Sequence, residues 1–547
     1  MRRSHKSVLF TLLAAGCCYS ILLAAGAGCA KFTAVESDAG STGVIATPPN
    51  PDEVFSFNIG TIPRLVQGTT TTIPITLTRS GPKKSDISVA LKDAPSGVAA
   101  NPLTIVRGTD SGELQITVSQ DVPQGALDNT WIEGHALDAT AYGRADLPLF
   151  VRGPAGSLDT TFATNGSLID VFGGGGMGPD AVFVLSDDSV LLLGNFSGSG
   201  AAARISPDGV LDTTYGTNGT VLASHYCMAL PDGRLICWSG RTAADGTNQD
   251  SVPLNPPVGT TVGTLESTTL APDGHIFMVF DATTTAGAKV MGIEKLTNDG
   301  QIDTTFGNRG AQSTKFTGKD SSIPYGVAVR PDGRIVMIGT YSTNATDATP
   351  ASSGYGLLQV LANGTLPDTS FGAGDATAPP GQITFPSPGT INPSTSSITP
   401  HGLQLLPDGR VISMLATYTG VSPSHYSYSI TAFTTYGAID TTFGNYGALA
   451  VGTAYPGLSL DDQSRLLVGH NSVDGLQSIV SRFTTVGVID MSFGTNGNVT
   501  IPLPSGYLAF TEYTARTGVQ KDGRIIVLFP AMSFAGNVIS IVSRLWN

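Results

Sequence analysis

Apolar and polar positions follow two different rhythms along this chain. Across residues 54–152, short runs such as FSFNIG, TTIPITLTR, SDISVAL and GELQITVS alternate apolar with polar. That period of two predicts strands with one face in a core and the other in solvent. Turn-rich stretches such as RSGPKK and DAPSGVAANP separate them, so the segment is expected to be a two-sheet sandwich of the immunoglobulin-like kind. From Gly156 onward the rhythm changes. The runs RLICW, HIFMVF, RIVMIG and RVISML are apolar at nearly every position, as in strands buried on both faces. Each follows a tight turn, centred on Asp232, Asp273, Asp332, Asp408 or Asp522, with degenerate copies at Asp187 and Asp462. Pro-Asp-Gly is hairpin chemistry: Pro fixes φ, Asp bonds back to the local backbone, and Gly accepts positive φ.

A marker phrase alternates with these hairpins: LDTTF from Leu158, LDTTYG from Leu211, IDTTFG from Ile302, PDTSFG from Pro367, IDTTFG from Ile439 and IDMSFG from Ile489. A further apolar run, such as AARI, IEKL or IVSRF, precedes most markers. Each repeat therefore reads as a marker loop, a first strand, a hairpin of two strands and a final strand. Recurrence of this kind predicts a repeat architecture, and four antiparallel strands per unit describe a β-propeller blade. A sandwich array and a parallel solenoid are the alternatives, and the tight hairpins oppose the solenoid. Seven hairpins against six markers place a decayed marker in Ser251–Gly263. The final IVSRLWN would next require a marker, and GSLDTTF lacks a preceding strand, so the two ends are expected to complete one blade together. The expected fold is all-β: a seven-bladed propeller of four-stranded blades over residues 156–547, preceded by the sandwich.

The marker in its LDTTYGTNG form, the PDGRI turn and the SRF run together resemble the delta-60 repeat proteins of bacteria. The resemblance covers Gly156–Asn547 and departs at the decayed marker and at the SDDS and DDQS turns. It implies a secreted or surface-located repeat protein without an established activity.

Residues 1–28 read as a targeting segment, with Arg2, Arg3 and Lys6 ahead of an apolar stretch that ends in LLAAGAG before Cys29. Small residues before a cysteine resemble a lipobox, which makes Cys29 the expected lipid attachment site. Cys17 is a rival site; an uncleaved anchor and an ordinary secretory signal are the other readings. Residues 29–53, rich in Ser, Thr, Gly and Pro, form an expected tether. The whole chain carries a formal net charge of −13, which repels phosphate backbones and opposes a nucleic-acid partner. An outer-membrane or cell-surface lipoprotein is expected, with a periplasmic location the alternative, and a monomer.

Cys227 and Cys237 flank the Pro231-Asp232-Gly233 turn. A three-residue loop with Gly233 in the bulge position would set them opposite each other at disulfide range, and an oxidising compartment would close the bond.

The marker aspartates tempt a catalytic reading, but a catalytic group is needed once and these recur with the geometry. They are expected to hold turns. The non-repeating residues six before each turn proline are more informative: Asp180, His225, Glu266, Tyr325 and His401, with Pro456 and Ala515 in the last two repeats. At one mouth of a channel they would form a polar ring able to bind a ligand or supply acid and base; an exposed strand start is the plain alternative. No metal-spaced cluster, nucleophile elbow, phosphate loop or dinucleotide fingerprint is present, so no cofactor and no metal are expected. The leading expectation is a non-catalytic, lipid-anchored envelope protein presenting the propeller to a protein or glycan. The alternative is a propeller enzyme, a glycan lyase or hydrolase, with its site at a channel mouth.

Overall fold

The structure, a computed structural model, describes residues 54–547 apart from 81–84, 139, 173–175, 197–198, 224–226, 238–239, 249–254, 345–351, 367, 373–378, 387–395, 420–424, 453–454, 473–476, 504 and 511–514. Cys29, the leader, the tether and His225 lie outside the described residues. The chain divides into two compact units, one running to Val122 with Ala126–Phe150, the other comprising Pro123–Gly125 with Val151–Asn547.

The first unit holds two antiparallel four-stranded sheets. One orders Val54–Ile59, Thr70–Ser80, Ser111–Val118 and Val98–Ala100; the other Tyr142–Asp146, Trp131–Ala136, Ile87–Lys92 and Leu103–Ile105. Ile73, Ile75, Leu114, Ile116 and Ile132 are buried, while Pro74, Thr76, Gln115 and Thr117 beside them are exposed, the burial that alternation dictates.

The second unit carries a succession of antiparallel sheets, numbered I to VII in chain order. Sheet I is Gly176–Val184, Val190–Phe196, Ser199–Ile205 and Thr220–Leu222. Sheet II is Cys227–Ala229, Leu235–Cys237 and Gly240–Thr242. Sheet III is Thr260–Leu270, Ile276–Thr284, Lys289–Leu296 and Ala311–Thr314; sheet IV is Ser321–Val329, Ile335–Thr343, Ser352–Val360 and Gln382–Pro386. Sheet V is Ser396–Leu405, Val411–Thr419, His425–Phe433 and Ala448–Gly452. Sheet VI is Gly457–Leu460, Leu466–Asn471, Ser478–Phe483 and Asn498–Thr500. Sheet VII joins Tyr507–Ala509 and Arg516–Val519 to Ile525–Ser533 and Val538–Leu545, and takes Ser167–Ile169 as its last strand. Ser167, Leu168 and Ile169 pair with Ser543, Val542 and Ile541, so both ends of the repeat region meet in one sheet.

The continuous apolar runs have a direct cause. In sheet IV, Ile335 and Met337 pack with Phe277, Val279 and Ile293 of sheet III, while Val336 and Ile338 pack with Val411 and Leu415 of sheet V. A strand between two neighbours has no solvent face, so alternation disappears. The decayed marker also finds its place. Leu211, Ile302, Ile439 and Ile489 each bridge back to the strand before them, and Asn248 makes the equivalent bridge to Thr242. The marker position thus begins at Asn248, ahead of the Ser251–Gly263 stretch expected to hold it, and the AADG turn at 243–246 immediately precedes it.

Cys227 and Cys237 are register partners in sheet II, joined by a disulfide with Cα atoms 4.1 Å apart. Leu230 N–H donates to Arg234 O at 2.8 Å and Gly233, at φ +93°, donates to Leu230 O at 2.9 Å, which sets this register. The bond spans a sequence separation of 10, and loop-closure entropy of that length is worth about 2–3 kcal/mol. Reduction, or Cys237→Ser, is expected to lower the second unit's urea midpoint accordingly; an unchanged midpoint would show that the bond does not constrain the unfolded chain.

Candidate functional site

The marker carboxylates are fully used as structure. In all six, Oδ1 accepts the backbone N–H (3.0–3.1 Å) and the hydroxyl (2.6–2.7 Å) of the Thr or Ser two residues on. Oδ2 faces a cation: Arg544 at Asp159 (2.6 Å), Arg204 at Asp212 (2.7 Å), Lys295 at Asp303 (2.9 Å), Arg334 at Asp368 (2.9 Å), Arg410 at Asp440 (2.8 Å) and Arg482 at Asp490 (2.8 Å). The aromatic after each marker, from Phe162 to Phe493, is buried. With both oxygens engaged, these groups hold turns.

The non-repeating series is different, because it coincides with a repeated irregularity in the first strand. In sheet I, Pro179 faces Gly194 and Ala181 faces Leu193, so Asp180 is the extra residue of a bulge. In sheet III the extra residue is Glu266, between Leu265 and Ser267. In sheet IV it is Tyr325, between Pro324 and Gly326. In sheet V the irregularity begins at His401, the last residue in register before Gln404. A β-bulge takes one side chain out of the ladder and re-aims it, which is why bulges gather at functional sites. The first strands of sheets III, IV and V lie side by side, as do those of sheets VI, VII and I.

The re-aimed side chains meet through aromatic rings. His401 packs against Tyr325 (6.4 Å between centroids), Tyr428 (6.4 Å) and, edge-on, Tyr455 (4.9 Å). Arg516 lies 5.1 Å from the Tyr455 ring centre, and its Nε–H donates to the Asp180 carbonyl at 3.3 Å. The positions expected to be occupied by Pro456 and Ala515 are thus served by their neighbours Tyr455 and Arg516. A contact path runs from Asp180 through Arg516, Tyr455 and His401 to Tyr325. Reading one residue either side of the series would have found both. Tyr418 and Tyr426 extend the aromatic face: they are cross-strand partners 4.9 Å apart, and the HYSYS alternation puts Tyr426 and Tyr428 on one side of their strand.

Glu266 is the group with unusual chemistry. Half-buried on its bulge, its carboxyl is pushed up to about 7, chiefly by desolvation and then by the Asp281 carboxylate, with Lys289 opposing. Asp281 is buried on the neighbouring strand and held by the Lys289 ammonium and the Thr264 N–H. Gly263 makes that position possible, since a Cβ there would lie 2.0 Å from Asp281 Oδ1. Burial also raises the Tyr325 phenol, helped by Glu266 and Asp281, and pushes His401 down to about 4, so its imidazole is neutral at pH 7. Among the described residues no group of three or more His, Cys, Asp or Glu is placed to hold a metal ion.

A second carboxyl, Glu294, lies fully buried in sheet III and accepts the Asn255 N–H at 3.0 Å. Desolvation pushes it up to about 7 from 4.5. The folded state then holds its proton more tightly than the unfolded chain, so its contribution to stability is lost as pH rises from about 4.5 through 7. Glu294→Gln is expected to unfold at a higher denaturant midpoint than the parent at pH 8, by on the order of 2 kcal/mol, and alike at pH 4. An equal effect at both pH values would show that the carboxyl is not buried as its neutral acid.

No protein-family model matches the chain, and no curated protein matches it. Among solved structures it is similar to a GH43_1 enzyme from Xanthomonas citri complexed with xylotriose, at 9% identity over 69% of this chain and 89% of that one, with a TM-score of 0.26. It is also similar to a GH43 β-1,3-galactosidase, at 11% identity over 77% and 84%, with a TM-score of 0.20. Domains 4–9 of the surface layer protein SbsC match at 8% identity over 90% and 82%, with a TM-score of 0.14. The first two are enzymes by name, and the expectation of a non-catalytic scaffold is corrected here in favour of the enzyme alternative on the chemistry of the site. At these TM-scores the likeness itself carries no argument. What replaces the scaffold is built from the site, where a half-buried carboxyl titrating near 7 supplies what proton transfer needs and docking does not.

Proposed function

We propose that this chain is a glycan-cleaving enzyme, a hydrolase on a seven-bladed β-propeller, with Glu266 as proton donor at one channel mouth. The observation that carries the reading is the raised Glu266 carboxyl beside the carboxylate of Asp281, on a bulge shared with Asp180 and Tyr325. Environments that separate the pKa values of neighbouring carboxyls assign the acid. Glu266 gives its proton to the glycosidic oxygen as the anomeric C–O bond breaks. Water adds to the anomeric carbon and yields its proton to a second carboxylate, for which Asp180, on the same ring of positions, is the candidate. Asp281, with its oxygens engaged by Lys289 and Thr264, acts through its field on Glu266.

The seven sheets suit seven blades. The first unit suits an immunoglobulin-like spacer, and the repeats suit the delta-60 type. The disulfide favours an oxidising compartment, consistent with export through the 1–28 leader and a lipid on Cys29. The test is incubation of the purified chain with a panel of polysaccharides, followed by reducing-end release and ultraviolet absorbance of unsaturated ends. New reducing ends without unsaturation support hydrolysis. Unsaturated products would make the chain a lyase, and no cleavage across the panel would end the enzyme reading.

A further inference from the structure

Beside Tyr325 lies a cavity of about 270 Å³ between sheet IV and the first strand of sheet V. We infer that this cavity is the subsite that selects a neutral sugar unit, an inference that rests on the glycan-cleaving reading and names its substrate class.

The lining is chemically uniform. Eight of its eleven residues carry hydroxyls, among them Ser321, Ser342, Ser353, Thr340, Thr399 and Tyr325, and none is charged. The sequence makes it so through register: Ser321 faces Ser342, and Ser342 faces Ser353, a row of three serines across adjacent strands. Thr340, two residues before Ser342 and so on the same face, lines the cavity together with Tyr325. A hydroxyl both donates and accepts, as does every hydroxyl of a sugar, so such a wall can satisfy a pyranose without a fixed charge. A site built to pair hydroxyls rejects ligands that leave its polar groups unpaired. The volume is below the roughly 300–1,000 Å³ of pockets for drug-sized ligands, which suits one sugar residue.

Charge argues in the same direction. The carboxylates felt at Tyr325 are Glu266 and Asp281, and their field disfavours an anionic sugar. Lys319 lies 4.2 Å from the Tyr341 ring centre and is not part of the lining. A uronate or sulfated unit would therefore find no cationic group in the lining and would meet the field of those carboxylates. Tyr325 belongs to both the cavity and the bulge ring, which sets a bound sugar's linkage toward Glu266.

The experiment is ligand-observed NMR titration of the full chain with methyl xyloside, methyl galactoside and methyl glucoside against galacturonate and glucuronate. Neutral glycosides are expected to bind at least tenfold more tightly than uronates. Ser342→Phe, which fills the cavity, is expected to abolish this binding, and Ser342→Ala to weaken it severalfold if the larger side chain prevents folding. Uronates binding as well as neutral sugars, no neutral sugar binding, or binding that survives both substitutions would overturn the subsite. Glu266→Gln separates the two ideas. Retained binding with lost cleavage supports both; retained binding with retained cleavage leaves the subsite standing and removes Glu266 as the acid.

Discussion

Glu266→Gln is expected to lower turnover of a glycan substrate by about 10²–10⁴-fold, the range that a positioned proton donor supplies. At an ordinary 4.5 a glutamate would be protonated only about 0.3% of the time at pH 7; raised to about 7 it is half protonated there. Activity should therefore fall as pH rises above about 7, and this alkaline limb should vanish in the glutamine variant. Aryl glycosides with good leaving groups need little protonation, so they should lose far less. Asp281→Asn supplies the complementary measurement. Removing its negative charge and freeing Lys289 both favour the ionised form of Glu266, so the limb should move to lower pH, by about a unit. A pH–rate profile that ignores both substitutions would remove Glu266 from the chemistry.

Asp159→Ala should produce the largest loss of stability in the second unit. Its carboxylate and the Arg544 guanidinium are both completely buried, 2.6 Å apart, and Arg524 approaches the same oxygen at 3.2 Å. Removing the acid leaves a buried cation with the Pro207 carbonyl, Gln520, Thr161 and the solvent-exposed Asp208 carboxylate at 3.7 Å. Breaking a buried pair from one side costs about 3–5 kcal/mol. Asp212→Ala, at the equivalent position of the next repeat, is the internal control. There the pair with Arg204 is partly solvated, at 27% and 21% exposure, and the expected cost is about 1 kcal/mol. Equal midpoints in urea for the two variants would show that burial does not govern these pairs.

What the sequence discloses here depends on whether a feature repeats. The PDG turns and the Asp-Thr-Thr markers are local chemistry, so reading them needs no knowledge of distant strands. The all-β character and the role of the marker aspartates as turn holders follow from them directly. Ala163 shows the strength of the geometry: it takes φ +44° where later repeats supply Gly216 or Gly307. The site was legible only in part. Asp180, Glu266, Tyr325 and His401 stand out because they differ at one repeated position. Their common bulge is a property of strand pairing and leaves no local mark. The Asp281–Lys289 pair that tunes Glu266 comes from the next two strands, and Tyr455 and Arg516 lie one residue off the expected register. Assigning the chain to scaffolding followed from scoring residue types without the burial that changes their acidity.

The strand Ser167–Ile169 has a consequence for how the molecule is made. Its partner Val538–Leu545 follows it in the chain only after all of sheets I to VI, so during synthesis an early segment must wait, unpaired, while those sheets are made. Hairpin contacts within each sheet can form as soon as they emerge, but sheet VII closes only by a contact spanning almost the entire second unit, the slowest kind to make. Pairing of Val538–Leu545 with Ser167–Ile169 then locks the two ends of the repeat region together, which makes closure of sheet VII a checkpoint on synthesis of everything between them.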